Sequence, residues 1–371
     1  MRLLVLCVIG IVVVAGTAGL TADMQPPVDD GGGEHPAAGR ATQATADDGG
    51  GVDDAAHFKY YQNDSDIERW YEWWYLNVKT DDGHSLLIEF FTFGDLNNPA
   101  ASAVGVVMLF MHEDGSTYKS LKSYPGIPYS LSYETCDVSI AGDRFVRRDD
   151  GSYDVTYHNL LQDVNVDLHV TGMTAPIRGR RDMLNSREWM GWNAAVPAGE
   201  VQGSVAFRDM GDLKQYDMSG VGYHDHNWGI SRKLPLQWDW GEFTDAAAPV
   251  SFIYGTAKIG DGPYRHGGVN IATEHGTRFI PMSNITLEYL EWEDIAGVRK
   301  PTRLRIQGSN GSVSVNATVR FHRYYLVVGT GWYGMPYLAG SLTADIHVDG
   351  RHYEMRNVVG FYEHHFFLPS G

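Results

Sequence analysis

Thiols are nearly absent from this chain: 371 residues contain 2 cysteines, Cys7 in an apolar N-terminal run and Cys136 in the body of the sequence. Once that run is removed no intrachain disulfide can form, so the fold must rest on core packing. Positive charge is scarce as well. Lys and Arg number 29 against 46 Asp and Glu, a formal charge of −17, which disfavours nucleic acid and anionic membrane surfaces as partners. The densest basic cluster, Arg178, Arg180, Arg181 and Arg187, is short and interrupted. Helical periodicity is missing too, and only Asp182 to Trp192 leaves room for a short helix.

The N-terminus reads as a targeting device. Arg2 precedes an unbroken apolar run from Leu3 to Val14, and small residues follow up to Ala22. This is the pattern of a secretory signal peptide over residues 1–22. The run is shorter than the ~20 residues a membrane helix needs, although an extension through Leu20 leaves an uncleaved anchor open. In that case the only membrane contact is through this segment. Residues 23–56 are Asp, Gly, Ala, Pro and Thr with hardly a large apolar side chain, the composition of a disordered acidic tether. Eight of the acids and two of the basic residues lie in residues 1–56. The expected location is therefore extracellular or at the cell surface. Asn63, Asn284, Asn310 and Asn316 match the glycosylation acceptor pattern, a weak signal.

What the remainder has is aromatics, 12% of all residues, and 43 glycines. Short runs of Val, Ile, Tyr, Phe and Thr are broken by turns such as Asp81-Asp82-Gly83, Ala141-Gly142-Asp143 and Asp349-Gly350, and Asp-Gly between apolar runs signals a hairpin. Cys136 to Ile140, Ser152 to Tyr157 and Val164 to Val170 alternate apolar and polar residues as half-buried antiparallel strands do. The expectation is an all-β protein of sandwiches or closed barrels. Trp70-Tyr71-Glu72-Trp73-Trp74 and Trp238-Asp239-Trp240-Gly241 resemble openings of two similar units. That places one domain over 57–212 and a second over 213–371.

The most unusual string is Gly222-Tyr223-His224-Asp225-His226-Asn227-Trp228-Gly229. In an extended strand His224, His226 and Trp228 share one face, and Tyr223, Asp225 and Asn227 share the other. Two imidazoles beside an indole suit a small-molecule pocket; the same groups also suit a hydrogen-bonded plug between loops. His-x-His with His364-His365 permits a metal, but a third ligand at diagnostic spacing and Cys pairs are missing, so no metal and no cofactor is expected.

Glu72-Trp73-Trp74-Tyr75 together with this octapeptide resembles the AttH-like and carotenoid 1,2-hydratase (hydroxyneurosporene synthase) family over roughly residues 60–371. The resemblance implies two lipocalin-like (calycin) antiparallel β-barrels packed together, the second carrying the motif. It also implies an apolar ligand pocket and an enzyme of the hydratase, isomerase or cyclase type. His226 and Trp228 match two implicated residues, His226 to orient or deprotonate water and Trp228 to shape the bound substrate with Tyr254. His224 and Asp225 complete the candidate catalytic set. Thr256 stands where the family's carboxylic acid belongs, and a hydroxyl is too weak to protonate an alkene. Asp225, Asp239 or Glu89 are the substitutes. Trp73, Trp74, Glu89, Trp238, Trp240 and Thr256 are the expected pocket residues, although Trp70, Trp73 and Trp74 also suit a barrel core. The functional expectation is proton-transfer chemistry on an apolar isoprenoid or polyene-type molecule, with a non-catalytic lipophilic carrier as the alternative.

Overall fold

The computed structural model describes residues 6–8, 11–13, 54–125, 128–231, 236–259, 264–295, 298–330 and 333–367. Of the expected signal and tether, only the antiparallel pair Leu6–Val8 and Ile11–Val13 and the residues from Asp54 onward lie within that description. No helix among the described residues is long and apolar enough to cross a membrane.

The chain forms two curled antiparallel sheets. In the first, Trp70–Thr80 opens a meander through Ser85–Gly94, Ser102–Met111 and Thr117–Tyr124. Its other edge pairs with Gly220–Ile230, beyond which lie Trp189–Asp209, Val164–Gly172, Tyr153–Asn159, Asp143–Arg147, Asp137–Ile140 and Tyr129–Leu131. The second sheet repeats this order. Leu236–Asp245 opens a meander through Val250–Ile259, His266–Thr273 and Gly276–Pro281, and pairs with the last strand, Arg351–Phe367. Tyr333–Val348, Val313–Thr330, Val298–Asn310 and Ile285–Ile295 complete it. The Trp70 and Trp238 strings thus start equivalent opening strands of two similar units.

Three expectations need correction. The motif strand Gly220–Ile230 closes the first unit, pairing with Trp70–Thr80 and Trp189–Asp209, so the second unit starts after it and not at 213. A strand that opens and a strand that closes the same unit meet only through long-range pairing, which local composition does not reveal. Residues 182–192 hold a turn between the strands Ile177–Met183 and Trp189–Asp209, not a helix. Residues 54–56, assigned to the tether, are buried against the first core.

The local signals for hairpins hold. Asp349 and Gly350 both have positive φ, 50° and 81°, the two-residue connection whose twist matches the flanking strands. Val164–Gly172 buries Val164, Val166, Leu168 and Val170 while Asn165, Asp167 and His169 face solvent. Ser102–Met111 is buried at every position. Val104, Val106, Met108 and Phe110 fill the first barrel, whereas Leu109 and Met111 join a second cluster between the sheets. Covering on both faces explains the unbroken apolar run.

Side chains close the seam of the first barrel. Ser120 and Tyr157 hydroxyls lie 2.6 Å apart, and Lys122 Nζ donates to the His158 carbonyl at 2.5 Å. The units are joined by the apolar cluster around Tyr75, Leu87, Ile177, Tyr223, Ile253 and Phe361, and by a backbone bond from Ala175 N–H to Thr273 O of 3.0 Å. A buried ion pair, Lys79 Nζ to Glu242 Oε1 at 2.5 Å, also crosses between them.

Candidate functional site

Strand alternation splits the central motif as its sequence predicts, and each half lands in a different environment. His224, His226 and Trp228 point into the first barrel. His226 Nε2 lies 3.1 Å from Glu72 Oε1, the same oxygen that accepts the His57 backbone N–H at 2.6 Å. A carboxylate only accepts, so Nε2 carries the proton. The His226 ring stacks on Trp74 at 4.7 Å, and Trp228 stacks on His57 at 3.8 Å and 3°. Burial alone would raise the Glu72 carboxyl, but hydrogen bonds from His226 and His57 outweigh it and hold it below its ordinary range. Burial pulls His226 down, against the pull of Glu72, leaving a neutral ring. Glu72 and His57 organise this cluster; Glu72 stands in the first motif string, but nothing in the local sequence marks His57.

Trp228 is fitted to the barrel by a glycine. Gly191 lies directly across from it, and a Cβ there would sit 2.3 Å from Trp228 Cε2. Gly191→Ala must displace the indole, so it is expected to cost about 1–3 kcal/mol in urea unfolding. An unchanged midpoint would show that the ring yields freely.

Asp225 and Asn227, on the other face of the motif, border a cavity of about 140 Å³ between the barrels. Tyr71, Trp73, Tyr75, Trp192, Asp225 and Asn227 line it from the first unit, and Trp238, Trp240, Ile253, Thr256, Asn270 and Glu363 from the second. Asp225 is the chemically distinctive group. Trp192 Nε1 and the Tyr223 hydroxyl donate to its Oδ2 at 3.0 and 2.8 Å, and Asn227 Nδ2 donates to Oδ1 at 3.0 Å. Burial nevertheless dominates and raises its carboxyl from 3.8 to about 6. A carboxyl in that range beside aromatic walls is poised for proton transfer near neutral pH.

Of the expected site residues, Asp225, Trp73, Trp238, Trp240 and Thr256 meet on this cavity, while His224, His226, Trp228, Tyr254, Trp74 and Glu89 are not among its lining. Trp74 is first-barrel core, and Tyr254 is second-barrel core. Glu89 is buried opposite Tyr75 and Val107. Thr256 donates to the His266 carbonyl at 2.6 Å and stands directly across from Asp239. Asp239 borders the cavity, yet its carboxyl is engaged by His364 Nδ1 and the Tyr289 hydroxyl. Burial would raise it, but His364 and Tyr289 outweigh burial and keep it below the ordinary range. The side chain of His365 lies outside the described residues. Trp192 and Glu363, which the sequence reading did not select, complete the wall, Trp238 Nε1 donating to Glu363 Oε2 at 3.0 Å. The Trp189-Met190-Gly191-Trp192 string was the available signal for Trp192, obscured by the helix expectation.

Among solved structures, a protein described as an AttH from Nitrosomonas europaea aligns at 15% identity with a TM-score of 0.63, covering 86% of this chain and 98% of its own. Kievitone hydratase from Nectria haematococca aligns at 14% identity and TM-score 0.55, over 80% of this chain and 88% of its own. CghA with Sch210972 aligns at 12% identity and TM-score 0.57, over 81% and 89%. No protein-family model and no curated protein matches the sequence. Superposition over most of each chain, together with the two curled antiparallel sheets of this one, identifies this protein as having the AttH-like fold of paired lipocalin-like barrels.

Proposed function

We propose that this is an exported lipocalin-like enzyme that binds an apolar isoprenoid or polyene-type molecule in the cavity between the barrels and transforms it by proton transfer, as a hydratase, isomerase or cyclase. The observation that carries this reading is Asp225, a buried carboxyl raised to about 6 on a wall shared with Trp73, Trp192, Trp238 and Trp240. Alkene chemistry of this kind starts when an acid gives its proton to carbon, and the cation formed is favoured by indole faces. Water capture followed by return of a proton to the Asp225 carboxylate then gives an alcohol, loss of a neighbouring proton to that carboxylate gives an isomer, and attack by an internal double bond followed by the same proton loss gives a ring, each course regenerating the acid. Of the three acids available to replace Thr256, only Asp225 both lines the cavity and is held above the ordinary range. Asp239 is held below the ordinary range by His364 and Tyr289 against its burial, which makes it the poorer proton donor.

Size narrows the substrate. Pockets for drug-sized ligands run to about 300–1,000 Å³, so a cavity of about 140 Å³ encloses a compact reacting end, with a longer tail extending beyond it. Similarity to kievitone hydratase agrees with hydration as one outcome but supports the fold alone.

The test is incubation of an organic extract of the native source in D2O with the purified protein, followed by mass spectrometry. The expected result is a product carrying one non-exchangeable carbon-bound deuterium. Recovery of an unaltered lipophilic ligand from the purified protein with no deuterated product would instead establish a carrier.

A further inference from the structure

A second chemical cluster lies inside the first barrel, away from the cavity. It brings together Asp54 of the N-terminal segment, Cys136 just before the strand Asp137–Ile140, and His224 of the motif strand. All three are buried, none more than 1% exposed. Their ligand atoms, a carboxylate oxygen, Sγ and an imidazole nitrogen, lie within 4.8 Å of one another. His224 Nδ1 contacts the Tyr75 carbonyl at 2.9 Å. A carbonyl only accepts, so Nδ1 holds a proton, and in the neutral ring Nε2 presents its lone pair to the cluster. Nε2 has no hydrogen-bond partner among the described residues, and its 3.8 Å separation from Asp54 Oδ2 is too long for one. Asp54 Oδ1 is likewise buried without a partner, Oδ2 being held by the Tyr153 hydroxyl.

We propose that Asp54, Cys136 and His224 supply three ligands to a divalent transition metal of the zinc type, which ties the N-terminal segment into the first barrel. An imidazole fixed by a backbone carbonyl on its far nitrogen is the usual orientation of a metal ligand. Zinc takes sulfur at about 2.3 Å and nitrogen or oxygen at about 2.0–2.2 Å, which sets its ligand atoms roughly 3.3–3.7 Å apart, so atoms now within 4.8 Å of one another draw together on binding. One thiolate, one carboxylate and a neutral imidazole around a 2+ ion leave no net charge in the core. Binding replaces the thiol S–H bond with a metal–sulfur bond and releases one proton to solvent. The neighbouring His57, Glu72 and His226 cluster differs, because Glu72 already accepts from both partners. Asp54 is 82 residues from Cys136 in the chain, which is why no local ligand spacing marks the site.

The full chain, purified without chelator, is expected to retain about one equivalent of zinc by elemental mass spectrometry. Replacing zinc with Co2+ should produce the near-ultraviolet absorption of a cobalt–thiolate bond. Cys136→Ala should abolish that absorption and weaken zinc binding at least about tenfold. If Cys136→Ala does not fold, the wild-type cobalt spectrum decides alone. No retained or added metal overturns the proposal, and so does bound cobalt without thiolate absorption, which places the ion on other ligands.

Discussion

Asp225→Asn is expected to lower the yield of deuterated product by about two to four orders of magnitude, the usual contribution of a general acid. Binding of an apolar fluorophore such as Nile red should persist, because the aromatic wall is untouched. The substitution is close to isosteric. Trp192 and Tyr223 can still donate to an amide oxygen, and the Asn227 amide can rotate to accept from the new NH2 group, so folding should survive. The pH dependence follows from the raised carboxyl. Wild-type turnover should decline as pH rises through about 6, where Asp225 loses its proton. Stability moves the same way. Because the folded value lies above the ordinary 3.8, the folded protein holds this proton more tightly than the unfolded chain does. The contribution is full below about 3.8 and is lost as pH rises through about 6, a loss of about 3 kcal/mol. Asp225→Asn should remove that slope. A variant that retains full activity would eliminate Asp225 as the acid.

Lys79→Met is expected to cost about 3–5 kcal/mol, because it leaves the Glu242 carboxyl buried and uncompensated. Lys79 ends a polar ladder on the face of Trp70–Thr80 that looks toward the second barrel. Asn77 Nδ2 donates to the Tyr75 hydroxyl at 3.1 Å, and Lys79 Nζ donates to Asn77 Oδ1 at 2.9 Å and to Glu242 Oε1 at 2.5 Å. Burial pushes Lys79 down and Glu242 up, each against the pull of its partner. Replacing both partners, Lys79→Met with Glu242→Leu, removes the two desolvated charges together and should restore most of the loss. Denaturant unfolding of the two single variants and the double variant checks this. A double variant no more stable than Lys79→Met would mean that the loss does not come from the charge left on Glu242. Because Tyr75 also lines the cavity, loss of the pair should loosen the aromatic wall and weaken Nile red binding in parallel.

Several features were legible without a structure because their cause is local. The Asp349-Gly350 hairpin follows from backbone conformations that few residues adopt, and the strand Val164–Gly172 shows its one-sided burial in its alternation. The division of the central motif into His224, His226 and Trp228 against Tyr223, Asp225 and Asn227 follows from the two-residue period of a strand. The all-β class and the repeat of two units were readable on the same grounds.

Which face of the motif meets a cavity depends on how the two barrels pack. Gly220–Ile230 is covered on both sides, by the first barrel's core and by the second barrel, so from Gly222 onward every residue is buried and the alternation no longer distinguishes inside from outside. His226 and Trp228 fell to the packed side, and Asp225 fell to the cavity. The strand's own partners, Trp70–Thr80 and Trp189–Asp209, lie far from it or separated by other strands in the chain, so the limit of the first unit was equally hidden. The strands, their turns and the periodicity of their faces depend on neighbouring residues and are therefore legible in the chain. The acid, its raised proton affinity and the joining of Asp54, Cys136 and His224 arise from burial and approach between distant segments, and only the folded chain supplies those.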